Sequence, residues 1–232
     1  IITENTSTAP VVGNYYWTQK GFDIHGEEIN ENIGEIFDVN NDGNIIILGN
    51  YENSDESYKG GSVIVYEWRQ YQDGDDFHYS STIYNETQSK PLIITPDYTI
   101  SPVVGNYYWT QKGKQFNGIW DTNLGMGVSI NKNGNKIIIG GSGYSSHQGM
   151  AQVFEWIDSS WVQIGGDIIG KYEYNYNNGQ SIYGVRTGYS VSINNDGNII
   201  IIGSPDTTYD WLWNNSTGNG KGYISRYKLI GN

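Results

Sequence analysis

The sequence predicts an all-β fold built from repeated four-stranded antiparallel units, and three recurring segments carry that expectation. A polar turn running into an apolar strand occurs as Asn40-Asn41-Asp42-Gly43-Asn44-Ile45-Ile46-Ile47-Leu48-Gly49. It returns as Asn131-Lys132-Asn133-Gly134-Asn135-Lys136-Ile137-Ile138-Ile139-Gly140, and again as Asn194-Asn195-Asp196-Gly197-Asn198-Ile199-Ile200-Ile201-Ile202-Gly203. A Gly-led strand follows each turn, starting at Gly61, Gly149 and Gly222, and a Trp-x-Gln-x-Gly string begins at Trp17, Trp109 and Trp161. Self-similarity of this kind marks a repeat architecture, in which each copy buries its apolar face only against a neighbour.

Each unit reads as four strands in order. The first precedes the turn: Ile36-Phe37-Asp38-Val39, Val128-Ser129-Ile130, and Tyr189-Ser190-Val191-Ser192-Ile193. Gly34, Gly127 and Gly188 stand before them. The turn suits a tight hairpin because Gly and Asn tolerate positive φ. The second strand is apolar at nearly every position and has to be covered on both faces. In the third, alternation puts Val63, Val65 and Glu67 on one face and Ile64, Tyr66 and Trp68 on the other. The fourth carries the Trp-x-Gln-x-Gly string. Four-stranded units repeated radially are the blades of a β-propeller. The expected fold is therefore all-β and β-propeller-like, a single domain over 1–232 with blade units at roughly 22–112, 113–164 and 165–232.

The strand count does not close. The third unit ends without a fourth strand, while the chain opens with an unattached one at 11–21. Residues 11–21 repeat residues 103–113 letter for letter, 92 positions apart. Three blades fall short of the ~4 to 8 of closed propellers. Four arrangements meet that shortfall: pairing of the Trp17 strand beside residues 222–229, further blades outside the chain, three-plus-three pairing of two chains, and an open stack in a large assembly. Residues 69–102 have no counterpart and read as an insertion or a degenerate blade.

Composition bounds the chemistry. The formal net charge of −12 argues against a nucleic-acid groove or an anionic membrane surface. Cysteine is absent, which excludes disulfides, thiolate metal sites and a cysteine nucleophile. No apolar run approaches the ~20 residues of a membrane-spanning helix. The chain begins at Ile1 with no recognisable signal peptide, so it is expected to be processed or part of something longer. Glycosylation acceptor patterns at Asn5, Asn85, Asn214 and Asn215 fit an extracellular or virion-surface protein.

From Gly188-Tyr189-Ser190-Val191-Ser192-Ile193 to Gly203-Ser204-Pro205 the third unit resembles the FG-GAP repeat. That repeat is the blade of the integrin α-subunit propeller and of its microbial and viral relatives. Gly-Tyr stands near the family's Phe-Gly, and Gly203-Ser204-Pro205 near its Gly-Ala-Pro. The string Trp-x-Gln-x-Gly-x-Asp-Ile-x-Gly, here at 17–26 and 161–170, is similar to strings in such repeats. Gly49-Asn50 and Gly140-Gly141 depart from Gly-Ala-Pro in the first two units. The resemblance implies a propeller used for adhesion or recognition, and not for catalysis. It also implies a Ca²⁺-binding first turn, for which Asp42 and Asp196 are the candidate ligands. A hard cation wants ~6 to 8 oxygens, and one carboxylate per turn falls well short, so a plain hairpin is expected and no cofactor is assigned.

Catalytic patterns are missing. His25, His78 and His147 hold no ligand-like spacing, and there is no nucleophile elbow or phosphate-binding loop. The pairs Glu27-Glu28, Asp55-Glu56 and Asp75-Asp76 read as solvated loop carboxylates, not as a buried general acid. The loops between second and third strands, at 50–60, 141–148 and 204–220, are expected to gather on one face. They carry Tyr51, Tyr144, and Tyr209, Trp211 and Trp213, aromatics suited to a sugar face or a protein hot spot. The expected function is a non-enzymatic recognition or adhesion module with a protein or carbohydrate partner. The alternative is a structural subunit of a large assembly such as a viral particle, and the third possibility, an enzyme, would need a buried charged cluster.

Overall fold

The computed structural model describes residues 20–21, 23–24, 33–51, 60–75, 103–174, 182–205 and 222–230 of the 232. The chain is all-β. The first sheet runs β1 (Ile36–Val39), β2 (Ile45–Asn50), β3 (Ser62–Gln70) and β4 (Tyr107–Gln111) in spatial order, with the two-residue β5 (Phe116–Asn117) also on β3. The second sheet repeats it with β6 (Leu124–Ile130), β7 (Lys136–Gly141), β8 (Met150–Ile157) and β9 (Ser160–Gln163), plus β10 (Ile168–Ile169) on β8. A helical turn, α1 (Tyr144–His147), joins β7 to β8. A hairpin of β11 (Tyr172–Tyr174) and β12 (Ile182–Gly184) leads to the third sheet, β13 (Ser190–Ile193), β14 (Ile199–Ser204) and β15 (Tyr223–Lys228). All named strand pairs are antiparallel.

The strands β5 and β10 fall inside the second and third sequence units, yet each pairs with the sheet before it. Residues 71–106 connect β3 and β4, which are neighbours in one sheet. In the second sheet the same connection takes only Asp158 and Ser159.

One oxygen organises each turn. Asn40 Oδ1 accepts from the backbone N–H of Asn44 (3.0 Å) and Ile45 (2.9 Å). Asn131 Oδ1 does the same for Asn135 (3.0 Å) and Lys136 (2.9 Å), and Asn194 Oδ1 for Asn198 (3.0 Å) and Ile199 (2.8 Å). The fourth residue of each turn, Gly43, Gly134 or Gly197, is left-handed, with φ of 68°, 70° and 68°. That conformation costs Gly little and other residues more.

The sheets stack face against face in chain order. One core joins Ile45, Ile47, Val63 and Val65 of the first sheet to Leu124, Val128, Ile130, Ile137 and Ile139 of the second. A separate core joins Ile138 and Ala151 of the second to Ile193, Ile200 and Ile202 of the third. Strand β7 therefore sends Ile137 and Ile139 one way and Ile138 the other, at 0, 1 and 0% exposure. Each such burial stabilises by about 1.5–3 kcal/mol. Backbones also approach closely: a Cβ at Gly140 would lie 2.0 Å from the Gly188 carbonyl oxygen. The turns are strung together by Asn41 N–H donating to Lys132 O (3.2 Å) and Lys132 N–H to Asn195 O (3.3 Å).

The recurring tryptophans link sheets as well. Trp109 faces Trp68 across β3 and β4, and Trp161 faces Trp156 across β8 and β9, both edge to face. The indole of Trp109 donates to Lys20 O (3.2 Å) and that of Trp161 to Lys112 O (2.8 Å). Lys112 Nζ lies 4.4 Å from the Trp156 ring centre and 3.0 Å from Glu67 Oε2. Gln163 Nε2 donates to Asp167 Oδ1 (2.8 Å), which also accepts from Gln152 and is held below the usual carboxylate range by those two bonds.

One carboxylate expected to be solvated is not. Asp75 takes a bidentate hold from Arg69 at 2.6 and 2.7 Å and accepts from Gln72 N–H at 2.7 Å. The chain turns back on itself after β3, and that return brings the pair together.

Three outcomes test this account. Asn131→Ala removes the acceptor for two amides and is expected to cost about 1–2 kcal/mol in denaturant unfolding. Asp196→Ala, on an exposed turn carboxylate, should stay within about 0.5 kcal/mol. Equal losses would remove the role given to the Asn oxygen. Ile138→Ala should cost about 2–5 kcal/mol, whereas Ile201→Ala, 44% exposed, should cost far less; matching values would contradict the two-sided burial of β7. The Arg69 bonds hold the Asp75 carboxyl below its ordinary 3.8 in the folded chain. Its contribution is complete above that ordinary value and lost as pH falls through the lower, native one. Asp75→Asn should thus narrow its stability gap to the parent on acidification, read from unfolding midpoints; a gap that widens would reject the pairing.

Candidate functional site

Strands β2, β7 and β14 run the same way through the stack, so their C-terminal ends share one end of it. The chain there is knit across sheets. Leu124 N–H donates to Gly60 O (2.8 Å), Arg186 N–H to His147 O (2.8 Å), and Thr187 N–H to Gln148 O (3.0 Å). Eight described non-glycine residues have positive φ. Two of them, Asp158 and Ser159, make the β8–β9 hairpin; the rest, Asp121, Asn123, Ser145, Ser146, His147 and Arg186, lie in these cross-linked segments. Strained backbone gathers where packing fixes a working surface. Thr122 Oγ1 is buried here with no hydrogen-bond partner among the described residues.

Tyr51 and Tyr144 follow β2 and β7 and so lie at this end, in successive sheets. The Tyr51 hydroxyl donates to Glu35 Oε1 (3.2 Å), and Tyr144 is half-buried in α1. Asp42 and Asp196 are exposed on turns at the opposite end, one per turn. Among the described residues no group of three or more His, Asp or Glu side chains converges as a metal site would require. Tyr209, Trp211 and Trp213 lie outside the described residues.

The loop that carries those three nevertheless has both feet at one place. Strand β14 ends at Ser204, β15 begins at Tyr223, and a Cβ at Gly222 would lie 2.8 Å from Pro205 O. Beside these feet is a cleft of about 260 Å³ lined by Ile169, Lys171, Thr187, Tyr223, Ser225 and Tyr227. Thr187 Oγ1 is 2.8 Å from Ser204 Oγ and 3.4 Å from the Tyr223 hydroxyl. The cleft offers two phenols, two hydroxyls, one ammonium and one apolar wall. Among the described residues no carboxylate or histidine lines it. Its volume falls below the ~300 to 1,000 Å³ of drug-sized ligand pockets. It suits a single sugar ring or one protruding side chain.

Sequence reading passed over Lys171, Tyr223, Ser225 and Tyr227. The signal was present, because Tyr223, Ser225 and Tyr227 alternate at period two and so share one face. Missing was the position of Lys171 and Thr187 opposite that face, which β10 and the chain after β12 provide. No protein-family model matches the chain, and no curated protein matches it.

Proposed function

We propose that the chain is a non-enzymatic recognition module whose sheets are arranged in propeller-like fashion. It binds a glycan or a protein through the end that carries the loops between second and third strands. The reading is supported chiefly by the cleft that Tyr223 and Tyr227 line at the feet of the loop bearing Tyr209, Trp211 and Trp213. Aromatic faces beside hydroxyls and an ammonium supply stacking and hydrogen bonds together, as sugar rings and interface anchors require. The cross-linked backbone around Tyr144 supports this reading, because preorganised backbone lowers the ordering entropy that opposes binding. An extracellular or virion-surface location fits a surface-recognition role.

A structural role in a large assembly is the second reading. It is favoured by apolar residues left open at the two ends of the stack: Phe37 and Val39 on the first sheet, Ile201 and Ile224 on the third, at 63, 47, 44 and 76% exposure.

A glycan array and a surface-protein capture screen on the intact chain test the first reading. Tyr223→Ala, Tyr227→Ala, Trp211→Ala and Trp213→Ala are each expected to weaken a captured ligand by about tenfold or more, near 1.4 kcal/mol. A ligand that ignores all four changes would place recognition elsewhere.

A further inference from the structure

We infer that the turn joining the first sheet to the second is a glycan contact. Trp120 stacks on the C–H face of a neutral sugar ring, and Asp121 accepts hydrogen bonds from its hydroxyls. The inference rests on the reading of the loop end as a recognition surface, and it adds a second contact there and a sugar class.

The fold makes no use of this indole. Trp68, Trp109, Trp156 and Trp161 occupy repeat positions and pair edge to face. Trp120 is outside that series. It is 72% exposed, and its ring makes no aromatic contact or hydrogen bond among the described residues. Ile119, just before it, is 68% exposed. A large aromatic offers roughly 150–250 Å² for burial, and here most of it stays in water.

The backbone beneath the indole is fixed. Gly118 N–H donates to Gly61 O (2.9 Å) and Leu124 N–H to Gly60 O (2.8 Å), so both feet of the turn are tied to the chain entering β3. Thr122 N–H donates to Ile119 O (3.0 Å) and closes the turn around Trp120 and Asp121. From the segment after β7, Gly143 N–H donates to Thr122 O (2.9 Å). Asp121 and Asn123 are left-handed, with φ of 61° and 51°, and Thr122 between them is 2% exposed. A Cβ at Gly60 would lie 2.2 Å from Gly118 O, and one at Gly143 2.1 Å from Asp121 O. The tip is thus held in one shape before anything binds, which lowers the ordering cost of binding.

Charge and size select the occupant. Asp121 is exposed, and its carboxylate has no hydrogen bond or ion pair among the described residues. An ionised carboxylate only accepts, through two oxygens. It suits the O–H donors of a sugar and repels a carboxylate or sulfate carried on one. The formal net charge of −12 opposes an anionic sugar as well. A pyranose presents C–H groups on one face, and these meet the negative face of an indole. A protein partner needs about 800 Å² from each side, far more than residues 119–123 between the two feet supply. A lipid layer is opposed by the same free carboxylate, which would have to leave water.

The test follows the indole N–H resonances of the intact chain. The probes are neutral oligosaccharides built from glucose, galactose, mannose and N-acetylglucosamine, together with sialylated and sulfated counterparts. Trp120→Ala identifies the Trp120 signal. At least one neutral probe is expected to move that signal, with a Kd in the millimolar range or tighter. Trp120→Ala should weaken that probe about tenfold or more, while Trp120→Phe, which keeps an aromatic face, should weaken it less. Asp121→Asn, which keeps the shape and removes the charge, should also weaken it. Trp120→Ala should leave the unfolding midpoint unchanged, as at other exposed sites; a lower midpoint would place the indole in packing and overturn the inference. Neutral probes that all leave the Trp120 signal in place overturn it, as do sialylated or sulfated probes that bind more tightly. So does a captured protein or a lipid vesicle that needs Trp120 when neutral probes do not bind. A ligand lost on Tyr223→Ala yet indifferent to Trp120→Ala overturns this inference and leaves the recognition reading of the loop end standing.

Discussion

A strand that is apolar on both faces cannot be satisfied by one sheet. Ile137, Ile138 and Ile139 are consecutive, so the pleat sends them to opposite sides, yet none keeps more than 1% of its surface in water. That is possible only with a sheet on each side of β7. The first and third sheets supply those covers through two separate cores. Face-to-face stacking is therefore the condition on which the middle sheet depends, and the close glycine contacts such as Gly140 on Gly188 are what let the faces meet.

The stack is fastened by polar groups at its edges. At one end each turn is held by an Asn oxygen, and the turns hydrogen-bond from sheet to sheet. Along the outer strands a tryptophan pair closes over a glycine delivered by the preceding motif. Lys112 joins Glu67 of one sheet to the Trp156 ring of the next, where a shielded ammonium gains from both charge and quadrupole. At the far end the backbone is strained and cross-linked. The recognition surface proposed for this chain lies on that end, in keeping with the way loops on rigid scaffolds carry function.

The third sheet breaks the pattern in an instructive way. Its turn and β14 copy the other two, but in β15 Arg226 stands where β3 and β8 have Val65 and Val153, and Lys228 where they have Glu67 and Glu155. Leu229 replaces a tryptophan, and Ile164 replaces the bridging Lys112. The outer face that results is part apolar and part charged, with Ile201 and Ile224 beside Arg226.

Much of this architecture is legible in the letters. Turn positions, the order of four strands, the two-faced apolar second strand and the Trp-x-Gln-x-Gly recurrence all follow from local rules. Periodicity, turn chemistry and self-similarity need no knowledge of what lies across space. The face assignment in β3 holds too, with Val63 and Val65 buried in the core between the first and second sheets. Other features are not local. That β5 and β10 complete the sheet before them, that Asp75 is held by Arg69, and that Lys171 and Thr187 face Tyr223 and Tyr227 depend on partners brought together only by folding. The sequence alone determined an all-β chain of repeating sheets, because hydrophobic period and glycine placement act within a few residues. The tertiary structure alone decided which sheet each border segment joins, because that outcome is set by distances between strands far apart in the chain.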